Sequence, residues 1–248
     1  MLLKDKVAVV TGGTRGIGYA IVREFLREGA VVVLCGSKPE SAKKAVDALT
    51  AENSAWKVSG IAPDLADYAD VKKSFDEVAK KFGKIDILVN NAGVSAKEPF
   101  TSYTEEMFDS VMNLNLKAVY NASRAAVDGM KAQGSGCILN TSSMVGTYGQ
   151  PSGIAYPTSK FAVNGFTLSL ARELGPYGIR VNAVAPGVTN TDMMRAVPKE
   201  YIEPLVKTIP LRRIGEPEEV ANAFVFLASE KASYISGVVL HVDGLART

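Results

Sequence analysis

The chain has 248 residues, of which 47% are hydrophobic and 22% charged, and its formal net charge is +2. This composition is typical of a soluble globular protein long enough to bury a sizeable core. A charge this close to neutral gives no reason to expect binding to nucleic acid or to an anionic membrane.

Short β-branched runs alternate with longer segments of helical periodicity along the whole chain. Several runs are apolar on both faces, as is typical of strands covered by helices on each side. The alternation predicts one α/β domain over residues 1–248, with a doubly wound parallel sheet of about seven strands and helices on both faces. The predicted strands are Val7–Val10, Val31–Cys35, Trp56–Ile61, Ile85–Asn90, Gly136–Thr141, Ile179–Ala185 and Gly237–Val242. The predicted helices are Ala20–Glu28, Ser41–Glu52, Val71–Phe82, Glu105–Lys131, Tyr156–Leu174 and Pro217–Ser229.

The first predicted strand leads into a glycine-rich turn, Thr11–Gly18, and then into an amphipathic helix. Glycines at positions 12, 16 and 18 let the backbone turn tightly and approach a pyrophosphate, whose charge is favoured at the amino end of the next helix. In this context the glycine pattern predicts a dinucleotide-binding site.

The amino-terminal apolar run ends at Gly12 after a few residues, which is too short for a signal peptide or a membrane span. The two cysteines, Cys35 and Cys137, each lie beside an apolar run, and neither has a partner at metal-ligand spacing. We expect both to be buried in core strands. The simplest interpretation is a reduced, cytoplasmic protein with no metal site and no membrane contact.

Tyr156 and Lys160 lie four residues apart in a predicted helix, so their side chains share one face. Pro157 is tolerated in the first turn of a helix, which puts Tyr156 near the helix start. A phenol with a pKa of about 10 is a poor base at neutral pH, but a nearby ammonium lowers that pKa. The pair is thus suited to acid–base catalysis, although the same spacing fits a surface tyrosine with an incidental lysine. We expect the single histidine, His241, to be structural.

The one irregular stretch is 187–213, which contains several prolines and follows a late predicted strand. A long insertion at this place in the chain is typical of a substrate lid. The alternative is a surface loop with no role at the site.

The turn spacing TGxxxGxG resembles that of the short-chain dehydrogenase/reductases, and six further motifs follow in order over essentially the whole chain. This resemblance implies a Rossmann-type fold and hydride transfer between a nicotinamide and a secondary alcohol or ketone. It implies that Tyr156 is the acid–base group and that Lys160 tunes the pKa of its phenol. It also implies that Ser143 hydrogen-bonds the substrate oxygen and that Asn115 holds a water linked to Lys160. The six further motifs are Pro63–Leu65, Asn90–Gly93, Asn113–Asn115, Ser142–Ser143, the pair Tyr156 and Lys160, and Pro186–Gly187.

The same resemblance implies a set of cofactor contacts. Asp64 would contact the adenine, Asn91 would lie along the ribose, and Thr189 and Thr191 would hold the nicotinamide carboxamide. The whole set is Gly12, Thr14, Arg15, Gly16, Ile17, Gly18, Ser37, Lys38, Asp64, Leu65, Asn91, Gly93, Tyr156, Lys160, Pro186, Gly187, Thr189 and Thr191.

The end of the second predicted strand favours NADP(H) over NAD(H). Family members that bind NAD need a carboxylate there for the ribose 2′-hydroxyl, but here the first acid is Glu40, after Ser37 and Lys38. Without that carboxylate a 2′-phosphate meets less repulsion, and Ser37, Lys38 and Arg15 offer a hydrogen bond and positive charge. The alternative is that Arg15 and Lys38 are ordinary solvated side chains that do not contact the cofactor.

Two branches of the family compete for the substrate. The carboxyl-terminal half resembles 3-oxoacyl-carrier-protein reductases, whereas TGGTRGIG, APDL and SGIAYPTSK resemble bacterial bile-acid hydroxysteroid dehydrogenases. An acidic carrier protein needs basic residues beside the site; Arg172 matches one such position, but Asp128 takes the place of the other. We therefore favour a small free ketone or alcohol, with a hydroxysteroid first. Candidate pocket residues are Ser143, Met144, Tyr148, Pro151, Tyr156, Met193, Met194 and Val197.

Two other functions fit the fold class less well. A non-catalytic dinucleotide-binding regulator or a methyltransferase would leave Tyr156, Lys160 and Ser143 without a task. Since the family is commonly tetrameric, the resemblance also implies a homotetramer.

Overall fold

A computed structural model describes residues 1–195 and 199–246. The strands are β1 (Val7–Thr11), β2 (Val31–Cys35), β3 (Val58–Ile61), β4 (Ile87–Asn90), β5 (Gly136–Thr141), β6 (Ile179–Pro186) and β7 (Val239–Val242). The helices are α1 (Gly16–Arg27), α2 (Pro39–Glu52), α3 (Tyr68–Phe82), α4 (Glu105–Met112), α5 (Ala118–Gln133), α6 (Val145–Tyr148), α7 (Ala155–Leu174), α8 (Asp192–Arg195), α9 (Lys199–Thr208) and α10 (Pro217–Ala228).

The seven strands form one sheet in the order β3-β2-β1-β4-β5-β6-β7, and every neighbouring pair is parallel. The doubly wound parallel sheet predicted from the sequence is confirmed. Because the chain leaves β1 towards β2 and later returns to β4 on its other side, the connections diverge there and open a crevice at the carboxyl ends of the strands. That edge is where a ligand is expected.

Both faces of the sheet are buried because neighbouring residues of each strand point to opposite layers. Val10 and Val89 belong to the core beneath α1, α2 and α10, whereas Val9 and Leu88 belong to the core beneath α3, α5 and α7. This two-sided burial explains why the strand segments read as nearly continuous apolar runs.

The predicted helix Glu105–Lys131 is interrupted, and this prediction was wrong in that respect. Residues Asn113–Lys117 form a π-helical turn between α4 and α5. The side chain of Asn115 lies inside this turn, fully buried and hydrogen-bonded to the backbone of Val94. Such turns widen a helix locally and are frequent at functional sites.

Cys35 and Cys137 are buried in β2 and β5, as expected. Burial raises the pKa of the Cys35 thiol to about 12 and that of Cys137 to about 11, so neither is a thiolate at neutral pH. Within residues 1–195 and 199–246, no helix is long and apolar enough to cross a membrane. The same described part of the chain contains no group of His, Cys, Asp or Glu placed to hold a metal ion.

The irregular stretch 187–213 carries the two helices α8 and α9. Just after α9, Ile209 is buried against Met144 and Val145, which begin the α6 segment. The stretch therefore covers the region that follows β5, although its action as a lid stays a prediction.

Candidate active site

The glycine-rich turn between β1 and α1 is packed too closely to carry side chains at two of its glycines. A Cβ on Gly12 would lie 2.9 Å from the Cα of Ala92, and a Cβ on Gly18 would overlap the carbonyl oxygen of Gly12. Gly12 and Gly16 also have left-handed φ values of 64° and 55°. The turn thus presents bare backbone at the amino end of α1, the arrangement that suits a phosphate.

Asn91 ties together three strand ends beside this turn. Its backbone amide donates to Thr11 Oγ1 at 2.9 Å, and its side-chain amide donates to the carbonyl of Gly12 at 3.2 Å. Thr141 Oγ1 in turn donates to Asn91 Oδ1 at 3.3 Å. Asn91 therefore holds the ends of β1, β4 and β5 in place, and its contact with a ribose stays a prediction.

The turn after β3 keeps Asp64 at the same edge of the sheet. Asp64 Oδ1 accepts from the amide of Ala66 at 2.9 Å, while the Asp64 amide donates to Asp70 Oδ2 at 2.8 Å. The carbonyl of Leu65 accepts from Asn121 Nδ2 at 2.9 Å. Local hydrogen bonds therefore position the residue that the family resemblance assigns to the adenine.

The segment after β6 lies against the glycine-rich turn. Gly187 lies close to the backbone of Asp243, and Thr189 Oγ1 donates to the Gly187 carbonyl at 3.1 Å. A pocket of about 310 Å³ separates the two segments. It is lined by Thr14, Arg15, Gly16, Tyr19, Ala20, Asn190, Thr191, Asp192, Pro217 and Glu218. The predicted residues Thr14, Arg15, Gly16 and Thr191 are thus brought together, while Asn190 and Asp192 were missed because no motif marks them.

Tyr156 is the second residue of α7, which agrees with the position inferred from Pro157. Its side chain packs against the cluster of Met144, Val145 and Ile209 and forms a hydrogen bond with Ser143. Ser143 lies two residues after the end of β5 and is buried. The hydroxyls of Ser143 and Tyr156, which lie thirteen residues apart in the sequence, are therefore in contact.

Lys160 is buried one turn further along α7. Its Nζ donates to the carbonyl of Thr141 at 2.7 Å and lies 5.7 Å from the centroid of the Tyr156 ring. Burial lowers the pKa of its ammonium to about 8, because the charged form loses its hydration. Lys160 is thus held between the end of β5 and the phenol.

The pKa of Tyr156 lies above its ordinary value in the chain alone. Burial raises it, and the hydrogen bond with Ser143 only partly offsets that effect. The ammonium of Lys160 lies over the ring and is itself disfavoured by burial. The chain alone therefore favours a neutral phenol, which is ready to donate a proton.

Asn115 links the loop after β4 to α7. Its Oδ1 accepts from the amide of Val94 at 2.9 Å, and its Nδ2 donates to the Val94 carbonyl at 2.9 Å and to Ser159 Oγ at 3.0 Å. A Cβ on Gly93 would lie 3.1 Å from Asn115 Oδ1 and 3.8 Å from Lys160 Nζ. Asn115, Gly93 and Lys160 are therefore neighbours, as the motif set implied, while the water held by Asn115 stays a prediction.

The predicted substrate-pocket residues are only partly brought together. Met144 is buried beside Tyr156, while Tyr148 is exposed at the end of α6 and Pro151 is exposed in the segment that follows. Met193 and Met194 lie in α8, and Val197 lies outside the described residues. The sequence analysis did not identify the loop after β4 as part of this site. That loop contacts the segment between α6 and α7 through a hydrogen bond from the Gly153 amide to the Glu98 carbonyl.

His241 takes part in a separate set of contacts. Its Nδ1 lies 3.1 Å from Asp243 Oδ2 and its Nε2 lies 3.4 Å from Thr147 Oγ1. These contacts join β7 to α6 and agree with the structural role expected for this residue.

The chain is similar to known proteins over nearly its full length. The family model described as enoyl-(acyl carrier protein) reductase matches residues 12–244. A 3α-hydroxysteroid dehydrogenase of Mediterraneibacter gnavus is 56% identical over 248 residues, which cover 100% of this chain and 99% of that protein. A 3-oxoacyl-[acyl-carrier-protein] reductase of Thermotoga maritima is 41% identical over 246 residues, 98% of each chain. The crystal structure of gox2181 superposes with a TM-score of 0.94 at 33% identity, covering 98% of this chain and 95% of that one.

The buried ammonium of Lys160 predicts a pH-dependent stability difference. Its pKa is about 8 in the folded chain and 10.5 ordinarily, so the unfolded state binds more protons between these values and stability rises with pH across that window. Below this pH window, burial of the Lys160 ammonium lowers the stability of the folded chain by about 3 kcal/mol. The Lys160→Met variant lacks this ammonium, so only the wild type gains stability as the pH rises. We therefore expect the free energy of unfolding of the variant minus that of the wild type to fall by a comparable amount between about pH 7 and about pH 10. Urea titrations without cofactor measure this difference.

Lys44→Met on the exposed surface of α2 is the matched control, and its difference from wild type should stay constant. A Lys160→Met difference that does not change with pH would show that the ammonium is not destabilised by burial.

Proposed function

Because this chain belongs to the short-chain dehydrogenase/reductase family and is an oxidoreductase acting on CH–OH groups, we propose that it interconverts a steroid secondary alcohol and the corresponding ketone with NADP(H). The observation that carries the proposal is the contact of Tyr156 with Ser143 beside the buried Lys160, at the strand edge that also carries the glycine-rich turn. The single histidine is engaged elsewhere, so this group is the acid–base candidate of the chain.

The site residues fit a nicotinamide dinucleotide. The glycine-rich turn leaves no side chain between the backbone and a pyrophosphate at α1, and Thr191 lines the pocket on the opposite side. Gly93, next to Lys160, leaves room along the path from the turn to Tyr156. When bound, the nicotinamide supplies or accepts the hydride.

The chain's own residues handle the proton and the substrate oxygen. In reduction, Tyr156 donates its hydroxyl proton to the carbonyl oxygen, and in oxidation its phenolate takes the proton of the alcohol. Ser143 donates a hydrogen bond to the same oxygen and stabilises its developing negative charge. The protonated form of Lys160 stabilises the phenolate that remains after donation. A neutral Tyr156 in the resting chain suits the reductive direction.

The substrate proposal rests on identity and on two local features. The relative named as a 3α-hydroxysteroid dehydrogenase is 56% identical, against 41% for a 3-oxoacyl-[acyl-carrier-protein] reductase. Asp128, at the position where a carrier-binding arginine is expected, pairs with Arg124 at 2.8 Å and so removes positive charge from α5. The partly exposed apolar side chains Val188 and Ile214, which belong to the same cluster as Tyr156, suit a steroid face.

Turnover of bile acids compared with an acetoacetyl thioester tests this proposal. We expect kcat/KM for a 3α-hydroxy bile acid to exceed that for the thioester by at least about tenfold, and Tyr156→Phe to lower kcat by at least about a hundredfold. Tyr177→Phe, an exposed tyrosine paired with Lys131, is the matched control and should keep wild-type turnover.

Preferred use of the thioester would assign the chain to fatty acid synthesis instead. A Tyr156→Phe variant with more than a few per cent of wild-type kcat on any substrate would remove the acid–base role.

We propose NADP(H) as the cofactor on the arrangement beside β2. The Gly13 amide donates to the Cys35 carbonyl at 3.1 Å, so the turn carrying Arg15 lies against the end of β2. Ser37 and Lys38 follow that end and are exposed, and neither Arg15 nor Lys38 is in an ion pair among the described residues. Glu40, the first acid, lies within the first turn of α2.

A carboxylate placed at the end of β2 should weaken this preference. We expect Ser37→Asp to lower kcat/KM for NADPH by at least about tenfold, because the new charge repels a 2′-phosphate, and to lower that for NADH less. Ser54→Asp, on the exposed turn before β3, is the matched control. Wild-type enzyme that prefers NADH at equal concentration would refute the assignment.

We propose a homotetramer because two separate faces of the subunit expose large apolar side chains. On the outer side of α5 and α7, Tyr120, Phe161 and Leu168 are about half exposed at 53%, 49% and 49%. On the opposite edge, Phe226 of α10 and Tyr234 before β7 are also exposed. Two distinct twofold interfaces are what a tetramer of dihedral symmetry requires.

A charge on the α7 face should break one of these interfaces. We expect native mass spectrometry to give four times the chain mass for wild type and twice that mass for Leu168→Asp, since a buried unpaired carboxylate opposes association. Phe100→Asp, on an exposed loop residue, is the control and should remain a tetramer. A monomeric wild type, or a tetrameric Leu168→Asp, would contradict the proposal.

We place the enzyme in the cytoplasm. Both cysteines are buried and unpaired, which suits a reducing compartment.

A further inference from the structure

Gln150 lies in the segment between α6 and α7, and its side-chain amide reaches carbonyl groups of two different loops. Nε2 lies 2.6 Å from the Ser152 carbonyl, 3.3 Å from the Gly153 carbonyl and 3.3 Å from the Ala96 carbonyl. Ser152 and Gly153 lead into α7, whereas Ala96 belongs to the loop after β4. One partly buried amide therefore connects the two loops on either side of Tyr156.

Gly153 is the point where these loops meet. Its φ is 68°, and a Cβ there would overlap the carbonyl of Ala96. Its amide donates to the Glu98 carbonyl at 2.9 Å, and its own carbonyl accepts from the amide of Tyr156 at 3.0 Å. The carbonyl that Gln150 contacts is thus the one that anchors the backbone of Tyr156.

The other end of the same loop holds Tyr156 from its carbonyl side. Val94 exchanges two hydrogen bonds with Asn115, and Asn115 Nδ2 donates to Ser159 Oγ. Ser159 Oγ donates to the carbonyl of Tyr156 at 2.7 Å. Hydrogen bonds and a short stretch of chain therefore form a closed ring around Tyr156. The Gly153–Glu98 backbone bond closes this ring, and Gln150 adds a side-chain link between the same two loops.

We propose that Gln150 is a positioning residue that sets the place of the Tyr156 hydroxyl relative to Ser143. It acts through the Gly153 carbonyl and the 94–98 loop and touches no reacting atom itself. A displacement of the order of 1 Å at a reacting group can cost about a hundredfold in rate, so a link of this kind matters for kcat. The inference rests on the proposed acid–base role of Tyr156.

The substitution Gln150→Glu tests this role with almost no change in shape. It replaces an N–H donor by a carboxylate that faces three carbonyl oxygens, so the two loops repel where they were joined. We expect kcat for ketone reduction at about pH 8 to fall at least about tenfold, while the dissociation constant of NADPH stays within about twofold. As the pH falls, the new carboxyl group gains a proton that it can donate, and the ratio of variant to wild-type kcat should rise.

Two further variants isolate the hydrogen bond. Gln150→Met has a similar shape but no donor at any pH, so its kcat should be low and its ratio to wild type should not vary with pH. Gln133→Glu makes the same chemical change where the amide donates to the Ile85 and Gly129 carbonyls, at the amino ends of the strands. We expect it to leave kcat and its pH profile unchanged. If Gln150→Glu does not fold, Gln150→Met carries the test of the kcat loss.

The outcomes separate this inference from the proposed function. Gln150→Met with kcat within about twofold of wild type, or a loss matched by an equal loss of NADPH affinity, would overturn the positioning role. Tyr156→Phe measured alongside tests the acid–base role itself: if that variant is active, the proposed function fails whatever Gln150 does.

Discussion

The hydrogen bond from Lys160 Nζ to the carbonyl of Thr141 is the interaction on which the candidate site depends. Thr141 ends β5 and Ser143 follows two residues later, while Tyr156 lies one helical turn before Lys160. This contact between α7 and the end of β5 therefore helps to hold the two hydroxyls near each other. The chain keeps a buried ammonium for this purpose, although burial lowers its pKa to about 8 and makes the charged form costly.

The parallel sheet explains why this contact lies beside the glycine-rich turn. All seven strands end at the same edge, so segments far apart in sequence converge there. Asn91 joins the ends of β1, β4 and β5, and Asn115 joins the loop after β4 to α7. The candidate cofactor cradle and the candidate acid–base group are thus parts of one hydrogen-bonded edge, and Gln150 links the loop after β4 to the segment before α7.

Much of this site could be predicted because its chemistry is written in local patterns. The glycines of the first turn, the Tyr156–Lys160 spacing and Pro157 each act over a few residues, and the structure brings the corresponding groups together. The π-helical turn at Asn113–Lys117 could not be predicted, because the Val94 backbone that holds Asn115 comes from a distant loop. The roles of Gln150 and of the loop after β4 were invisible for the same reason.

The sequence by itself determined the fold class, the strand and helix order and the residue types of the site, since periodicity and motif spacing are local properties of the chain. Only the tertiary structure decided the electrostatics. Spacing alone indicated that an ammonium lies near Tyr156, but it could not indicate that burial raises the pKa of Tyr156 in the chain alone, because the depth of a side chain depends on everything packed around it. The tertiary structure likewise decided which carbonyl each buried amide meets, because those partners lie tens of residues away.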